Sequence, residues 1–396
     1  MSLNHDRSIW KRVSFGDVVN NVNETVRDAN AAGIDRIIAM EHLDPGELKM
    51  QRWGSTEDGT TFTRRVKPGQ TLFGKRRAYQ RKVAYAECDA ICSGDIYTFE
   101  ADDSQLLGEF LPFLVQSNEF FDHALDTSAG SLSPRTNWRD LATFEFDLPP
   151  LNEQKRIAEL LWAVERHRQS AKAVARTAAD SKSLLLGNRL TQGLEEQGWT
   201  QEPVTAIVKS GPTNGRSAPA NDQQRGVPTL SISAVREGQV RGRDSIKWID
   251  VEPAAVSSFR LEKGDFLIVR GNGNRSLTGR GGLVTEGLPD GCIYPDLLIR
   301  LRFEEDRILP AFAAEQWNSL RAHNALLENA KSTNGIWKIN GKDVKAHRLV
   351  VPPIADQLTL LRELAAFDSA VTSSLAEAEA LSRLRTSLLA EAFGGN

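Results

Sequence analysis

The sequence predicts an α+β protein. Two α/β globular domains stand in tandem repeat, each followed by a long α-helix, and the two helices pack as an antiparallel coiled coil. Three observations predict this. Residues Leu148–Leu194 open with Pro149 and Pro150 and then run without an internal proline, with no glycine before Gly187. Within that run apolar or small residues recur at alternating spacings of four and three: Ile157, Leu161, Val164, then Ala171, Ala175, Ala178 and Leu185. This is a coiled-coil seam, interrupted by Arg168 and Lys182. Finally, the pattern returns near the C-terminus. Pro352, Pro353 and Gln357 answer Pro149, Pro150 and Gln154, and the seam continues in phase through Leu360, Leu364, Phe367, Val371, Ser374, Ala378, Leu381 and Leu388.

Forty helical residues would reach roughly 60 Å. A helix of that length cannot bury its stripe alone and needs a partner. The two helices share one length and one pattern, so the partner is expected in the same chain. Two separate helical hairpins, or a rod that pairs with another chain, are the alternatives. The resulting division is residues 1–150, first globular domain; 151–197, central helix; 198–353, second globular domain; 354–396, C-terminal helix. The period is about half the chain.

In the first globular domain, Trp10–Val19 reads as a strand running into a short helix, and Ile34–Met40 as a strand. Phe62–Val66 and Thr71–Phe73 flank the turn Lys67-Pro68-Gly69. Strand-like alternation resumes in Val83–Ala86, Ala90–Cys92 and Asp95–Phe99. Leu106–Ala124 reads as one helix with Phe110, Phe113, Leu114 and Phe120 on its apolar face. Ser128–Asn137 is a polar loop, and Leu141–Leu148 a last strand. Gly193 and Gly198 mark a helix stop and a join. The second domain repeats the plan: Val227–Ile232 is an early strand, and Lys263–Val269 matches Pro68–Phe73. Tyr294–Ile299 answers Ser93–Thr98 residue for residue. Leu309–Leu327 answers the helix from Leu106, and Ser332–Lys338 the loop from Ser128.

Composition narrows the function. A hydrophobic share of 40% and a charged share of 26% describe an ordinary soluble protein. No apolar run approaches a membrane span and the N-terminus lacks a signal-peptide core, so the cytoplasm is expected. Cys88, Cys92 and Cys292 form no disulfide framework, and they read as core cysteines. The six histidines are scattered, none beside a nucleophile or at metal-ligand spacing. No phosphate-binding Gly-x-x-x-x-Gly-Lys-Ser/Thr run, Rossmann spacing or methyltransferase cofactor motif is present. Pro295-Asp296 followed by Glu304-Glu305-Asp306 lacks the lysine that a nuclease site would need. No catalytic residue and no metal ligand is expected.

What remains is binding. The net charge of −3 does not advertise a nucleic-acid partner, so such a function must rest on local basic patches. Five of the nine residues Gly74–Lys82 are basic: Lys75, Arg76, Arg77, Arg81 and Lys82, with Tyr79 among them. Arg64 and Arg65 precede them, and Ser131 and Arg135 lie in the polar loop that follows. In the second domain Arg270, Asn272, Asn274, Arg275 and Arg280 occupy the equivalent Gly-rich loop, with Asn334 and Lys338 in its polar loop. Arginine and asparagine can read guanine and adenine edges, while lysine and further arginines hold phosphates. A solvated turn-forming loop is the ordinary reading of such a run. The repetition of basic and amide residues at one address in both halves argues for DNA.

Three stretches carry a resemblance: Leu148–Ala158, Leu72–Tyr79 and Cys92–Asp95. With the alternation of globular domains and long helices, the chain resembles the specificity subunit of Type I restriction-modification enzymes over nearly its whole length. The resemblance implies a non-catalytic DNA-recognition subunit with two target-recognition domains, each reading half of a bipartite site in double-stranded DNA. It implies helices that set the spacing and dock two methyltransferase subunits, and two restriction/translocase subunits that join them. The complex would use S-adenosylmethionine, ATP and Mg; this subunit would hold no cofactor. The second repeat departs from the pattern, with Ile354-Ala355-Asp356-Gln357-Leu358 and a Gly-rich loop in place of Gly-Lys-Arg-Arg. A coiled-coil adaptor without DNA readout, and a stand-alone nuclease, are the competing readings.

Overall fold

A computed structural model describes residues 7–130, 133–242, 244–285 and 287–394. It is α+β, and the chain divides into two compact units, residues 1–172 with 375–396 and residues 173–374. The long helices Leu151–Glu196 and Ile354–Phe393 are each shared between the units.

The first unit is built on an antiparallel sheet ordered Val19–Val22, Ile96–Ala101, Thr71–Gly74, Val83–Tyr85. Alternate residues of these strands face a core of Phe15, Phe73, Phe99, Phe110, Phe113 and Phe120, all fully buried. A second sheet joins Gly54–Ser55, Arg36–Ile38, Ala90–Cys92 and Arg64–Val66, with one parallel pairing between Arg36–Ile38 and Ala90–Cys92. The second unit has a six-stranded sheet. In it Leu298–Phe303 pairs with both Val208–Asn214 and Phe266–Val269, over a core containing Phe266, Phe312 and Trp317. Cys92 and Cys292 are buried core thiols, pushed up to about 12 by burial, and all three cysteines are free.

Two expectations are corrected. Leu106–Ala124 is not one helix but two, Leu111–Val115 and Asn118–Asp126. Ser117 separates them, because its hydroxyl accepts from the Phe120 N–H at 3.2 Å and caps the second helix. Ser319 does the same between Pro310–Asn318 and Leu320–Leu327. Gly193 does not stop the central helix, which runs on to Glu196. It is a point of close approach instead: a Cβ there would meet the Trp199 ring at 2.0 Å. The turn is made by Gly198 at φ +70°, with the Trp199 N–H closing back onto the Gly193 carbonyl at 3.0 Å.

Each globular domain is closed at a two-stranded neck. Lys11–Ser14 pairs antiparallel with Glu145–Leu148, and Thr200–Pro203 pairs with Arg348–Val351. The paired prolines follow, and then a buried glutamine. The Gln154 side chain accepts from the Leu107 N–H at 2.8 Å and donates to the carbonyls of Gln105 and Pro149, each at 2.8 Å. Gln357 repeats this with the Leu309 N–H at 2.8 Å, the Arg307 carbonyl at 2.9 Å and the Pro352 carbonyl at 2.7 Å. Both glutamines are fully buried, and each amide is bonded through its oxygen and through both of its N–H groups.

The helices run antiparallel in each unit. In the first, Ile157, Leu161 and Val164 share a core with Leu381, Leu388 and Ala392; in the second, Leu185, Leu186 and Leu190 share one with Leu360 and Leu364. Ala171, Ala175 and Ala378 are buried, and Ala178, Phe367 and Val371 half-buried. The seam read from the sequence is therefore the apolar stripe, to which Leu186, Leu190 and Ala392 are added. Arg168 and Lys182, which break the pattern, are held by carboxylates. Arg168 is 2% exposed, beside Glu165, also 2% exposed.

Candidate nucleic-acid interface

The basic loop and the polar loop of each unit come together. In the first, Arg76 and Arg135 form an antiparallel bridge, and the Thr136 N–H donates to the Lys75 carbonyl at 3.0 Å. In the second, Gly271–Asn272 pairs with Ile336–Lys338, and the Ile339 N–H donates to the Arg270 carbonyl at 3.0 Å. The backbone frame is the same, so Lys75 corresponds to Arg270 and Arg135 to Lys338. One correspondence shifts. The Lys75 N–H donates to the Asp95 carbonyl at 3.0 Å, whereas the Arg270 N–H donates to that of Leu297 at 2.8 Å. Leu297, not Asp296, stands where Asp95 stands.

In the first unit the loop folds through a short 3₁₀ turn, Ala78–Gln80, between Arg77 and Arg81, both left-handed at φ 57° and 52°. Its cations divide into held and free. The Asp95 carboxylate sits between Arg135 at 3.1 Å and Arg76 at 3.5 Å, and Arg76 also donates to the Ser133 hydroxyl at 2.7 Å. The Lys75 ammonium lies over the Tyr97 ring at 4.7 Å; burial, with Arg64 and Arg135 nearby, lowers its pKa. Lys82 donates to the Met40 carbonyl at 2.6 Å. Arg81 donates to Asn118 at 2.6 Å and stacks over Phe121 at 4.6 Å. Arg77 and Tyr79 are exposed, Tyr79 over 55% of its surface.

Arg64 and Arg65 lie on the strand Arg64–Val66, as their place in Phe62–Val66 predicts. Arg65 is clamped by Asp89 at 2.6 Å and Glu24 at 3.0 Å, and its bond to Asp89 raises its pKa most. Arg64 donates to Asn23 at 3.0 Å and to the Ile96 carbonyl. Ser131 lies outside the described residues.

The Gly-rich loop of the second unit is ordered by its own side chains. Asn272 accepts from the Asn274 N–H at 2.9 Å, and Asn274 from the Ser276 N–H at 2.9 Å. Arg280 donates to the Asn318 carbonyl at 2.8 Å, and burial lowers its pKa. Arg270 donates to the Asp296 carbonyl at 3.4 Å. The Arg275 guanidinium lies 5.1 Å over the Trp337 ring. Asn334 and Lys338 are exposed on the hairpin that pairs with this loop, and so are Lys331 and Ile336, which sequence reasoning passed over. The signal was available: Asn334-Gly335 between two short runs is a dipeptide strongly preferred in two-residue hairpin turns.

Among the described residues no group of three or more His, Cys, Asp or Glu could hold a metal ion, and no helix is long and apolar enough to cross a membrane.

A family model described as the Type I restriction modification DNA specificity domain matches residues 34–174. The chain is 30% identical over 323 residues to the Type I restriction enzyme EcoKI specificity subunit of Escherichia coli K12, covering 75% of this chain and 69% of the relative. It is 24% identical to the StySPI specificity subunit of Salmonella potsdam over the same shares. Its fold resembles that of the Type I restriction-modification S subunit from M. genitalium, with a TM-score of 0.59 and 14% identity over 100% of this chain and 99% of that one. A chain from a structure of type I R-M complex assembly and conformational transition gives a TM-score of 0.56 at 20% identity, covering 97% of each.

Proposed function

Since the chain belongs to the Type I restriction enzyme specificity subunits, which recognise DNA sequence, we propose that its globular domains are two target-recognition domains, each reading one half of a bipartite site in double-stranded DNA. The observation that carries this is the repeated backbone frame. One hydrogen-bonded arrangement sets a cationic loop against a second segment in each unit, the polar loop in the first and the Lys331–Lys338 hairpin in the second, and the exposed side chains differ. Two readers with one scaffold and two base preferences need that combination.

In this reading the helix pair fixes the spacer between half-sites and docks two methyltransferase subunits, with two restriction/translocase subunits completing the complex. S-adenosylmethionine, ATP and Mg serve those partners, and catalysis is theirs. In the first domain Arg77 and Tyr79 are free to reach DNA, while Arg76 and Arg135 are pre-oriented by Asp95.

The test is a mobility shift with duplex DNA, with and without a co-expressed methyltransferase. Retarded DNA and site-specific methylation are expected; a complex that neither binds nor methylates DNA points to an adaptor instead. The spacing role is tested separately. Four residues inserted after Ala175 advance the helix by roughly one turn, about 5–6 Å. Methylome sequencing should then show the same half-sites with a spacer about one or two base pairs longer, since one duplex turn takes about 34–36 Å. Unchanged spacing with retained activity would remove the helices as ruler.

A further inference from the structure

The hairpin of the second unit has a charge arrangement that its own fold leaves uncompensated. Lys331–Thr333 and Ile336–Lys338 are joined by Asn334 and Gly335, both at positive φ, 51° and 74°. That is the two-residue turn whose twist matches its flanking strands. In the resulting register Lys331 stands directly opposite Lys338, and both are exposed. Like charges directly opposed across two strands destabilise the pairing. Neither lysine makes an ion pair among the described residues.

The first unit shows what is missing. There too the bridge opposes two cations, Arg76 and Arg135, but Asp95 holds both. The corresponding residue in the second unit is Leu297, which is 40% exposed. Lys338 keeps the place of Arg135, but the cation opposite it now comes from Lys331, where the first unit has Ala129, while Gly271 replaces Arg76. The carboxylate has not been kept.

The two faces of the hairpin are also unlike. Period-two alternation puts Lys331, Lys338 and Ile336 on one face and Ser332 and Trp337 on the other. Trp337 lies beneath the Arg275 guanidinium on the back, and its strand pairs along its other edge with Gly271–Asn272, which extends the hairpin to a short three-stranded sheet. The front face offers two ammonium groups at its base and a 41% exposed isoleucine beside the turn. Beyond the two-residue third strand, the turn end with Ile336 is a two-stranded ribbon, and such a ribbon fits the major groove of B-DNA, where phosphates line the rim and thymine methyls the floor.

We propose that the Lys331–Lys338 hairpin is the groove-inserted reading element of the second domain: Lys331 and Lys338 take backbone phosphates, and Asn334 and Ile336 meet base edges, Ile336 against a thymine methyl. This rests on the reading of the chain as a DNA-recognition subunit. It moves base recognition in this domain off the Gly-rich loop, whose Arg270, Arg275 and Arg280 brace the hairpin and neighbouring backbone.

The full chain, co-expressed with its methyltransferase if DNA binding requires it, is titrated with a labelled duplex pool randomised in sequence, and bound duplexes are sequenced. Lys331→Gln with Lys338→Gln should reduce the slope of log affinity against log salt by about two. Ile336→Ser should strip base preference from one or two positions of one half-site and leave the other half unchanged. Lys338→Glu supplies the missing carboxylate, so thermal stability should rise while duplex binding falls. A purely structural hairpin would not give those opposite signs. An unchanged salt slope together with an unchanged selected motif overturns the proposal while leaving DNA recognition standing. Loss of binding to polyglutamate but not to duplex by the double lysine variant would assign the face to an acidic protein and also overturn it. If the unaltered chain selects no sequence at all, the functional reading itself fails.

Discussion

The helix seam crosses the same polar layer twice, and the two crossings are built differently. Glu165 and Arg385 in the first unit correspond through the repeat to Asp368 and Lys182 in the second, and each pair is bonded, at 3.1 Å and 2.7 Å. The resemblance ends there. In the first unit Arg168 adds a second guanidinium, with bonds to Glu165 at 2.7 and 3.0 Å and a two-pronged grip on Glu47 at 2.7 and 2.8 Å. Lys172 and Gln169 reach the same Glu47 carboxylate, at 2.6 and 2.7 Å. Glu47 comes from the turn after Asp44, so a surface loop of the globular domain is anchored in the seam. In the second unit the counterpart of Arg168 is Val371, and Lys182 turns to Glu315 at 2.7 Å, on a helix of its globular domain. Two chemically similar layers thus hold their domains by different routes, one desolvated and one partly wet.

Deleting one member of each layer should separate them most. Glu165→Ala strands the Arg385 guanidinium in the interior, since Arg168 keeps Glu47 but Arg385 loses its carboxylate, and should cost about 3–5 kcal/mol in urea unfolding, the usual penalty for breaking a buried pair from one side. Replacing Glu165 and Arg385 together with Gln and Met leaves Arg168 on Glu47 and should cost far less. Comparable losses for both variants would mean that packing, rather than stranded charge, sets the penalty.

Acid should separate the units next. His347 in the second unit is 9% exposed, its Nε2 has no hydrogen-bond partner among the described residues, and burial lowers its pKa to about 4. Its neutral form is the folded form, so its stabilisation is complete above the unfolded value of about 6.5 and disappears as pH falls toward 4. The loss is on the order of 3 kcal/mol. For Glu47, burial alone would raise the pKa, but bonds from Arg168 and Lys172 outweigh it and bring it to about 2. Its contribution is present above about 4.5 and declines only below that. Hydrogen exchange followed from pH 7 to 4 should therefore show the second unit loosening first, with His347→Leu abolishing the difference. First-unit amides exchanging earlier would reverse the assignment.

The latching glutamines should behave alike where the layers do not. Gln154→Leu and Gln357→Leu each leave a buried proline carbonyl, and a part-buried N–H and second carbonyl, without the amide that held them, worth about 2–3 kcal/mol. Unequal losses would show that the repeat is equal in geometry but not in energy. Smallest of all, Lys182→Ala should cost about 1 kcal/mol or less, because Asp368 keeps 54% of its side chain in water and is readily rehydrated.

The helices, the repeat and the apolar face of Phe110, Phe113, Leu114 and Phe120 in the first domain were legible because apolar periodicity survives in one dimension. Ile157, Leu161, Leu360 and Leu364 needed nothing else. Arg168 and Lys182 could be read only as interruptions, since Glu47 and Glu315 arrive from distant parts of the chain. A run of arginines gives no sign of which ones their neighbours hold: among the described residues Arg65 and Arg280 are engaged and the Arg77 side chain is not, and the composition around them is similar. The repeat also hid a slip of one residue, because Asp95 and Asp296 align well as letters. Backbone hydrogen bonds place Leu297 there instead.

The necks have a consequence for how such a chain can change over generations. Lys11 faces Leu148, and Thr200 faces Val351, so each head starts and ends side by side. The same glutamine bonds sit just beyond in both copies. A genetic crossover falling inside the two neck strands would bring in a whole new head with its closing strands already matched. The incoming head would carry its own core and its own sheets. Bonds that tie a head to the seam, such as Glu47 on Arg168, would have no such replacement. Heads that reach the seam through the neck alone should therefore be the more freely inherited, and those anchored in the polar layer should travel with the helix that receives them.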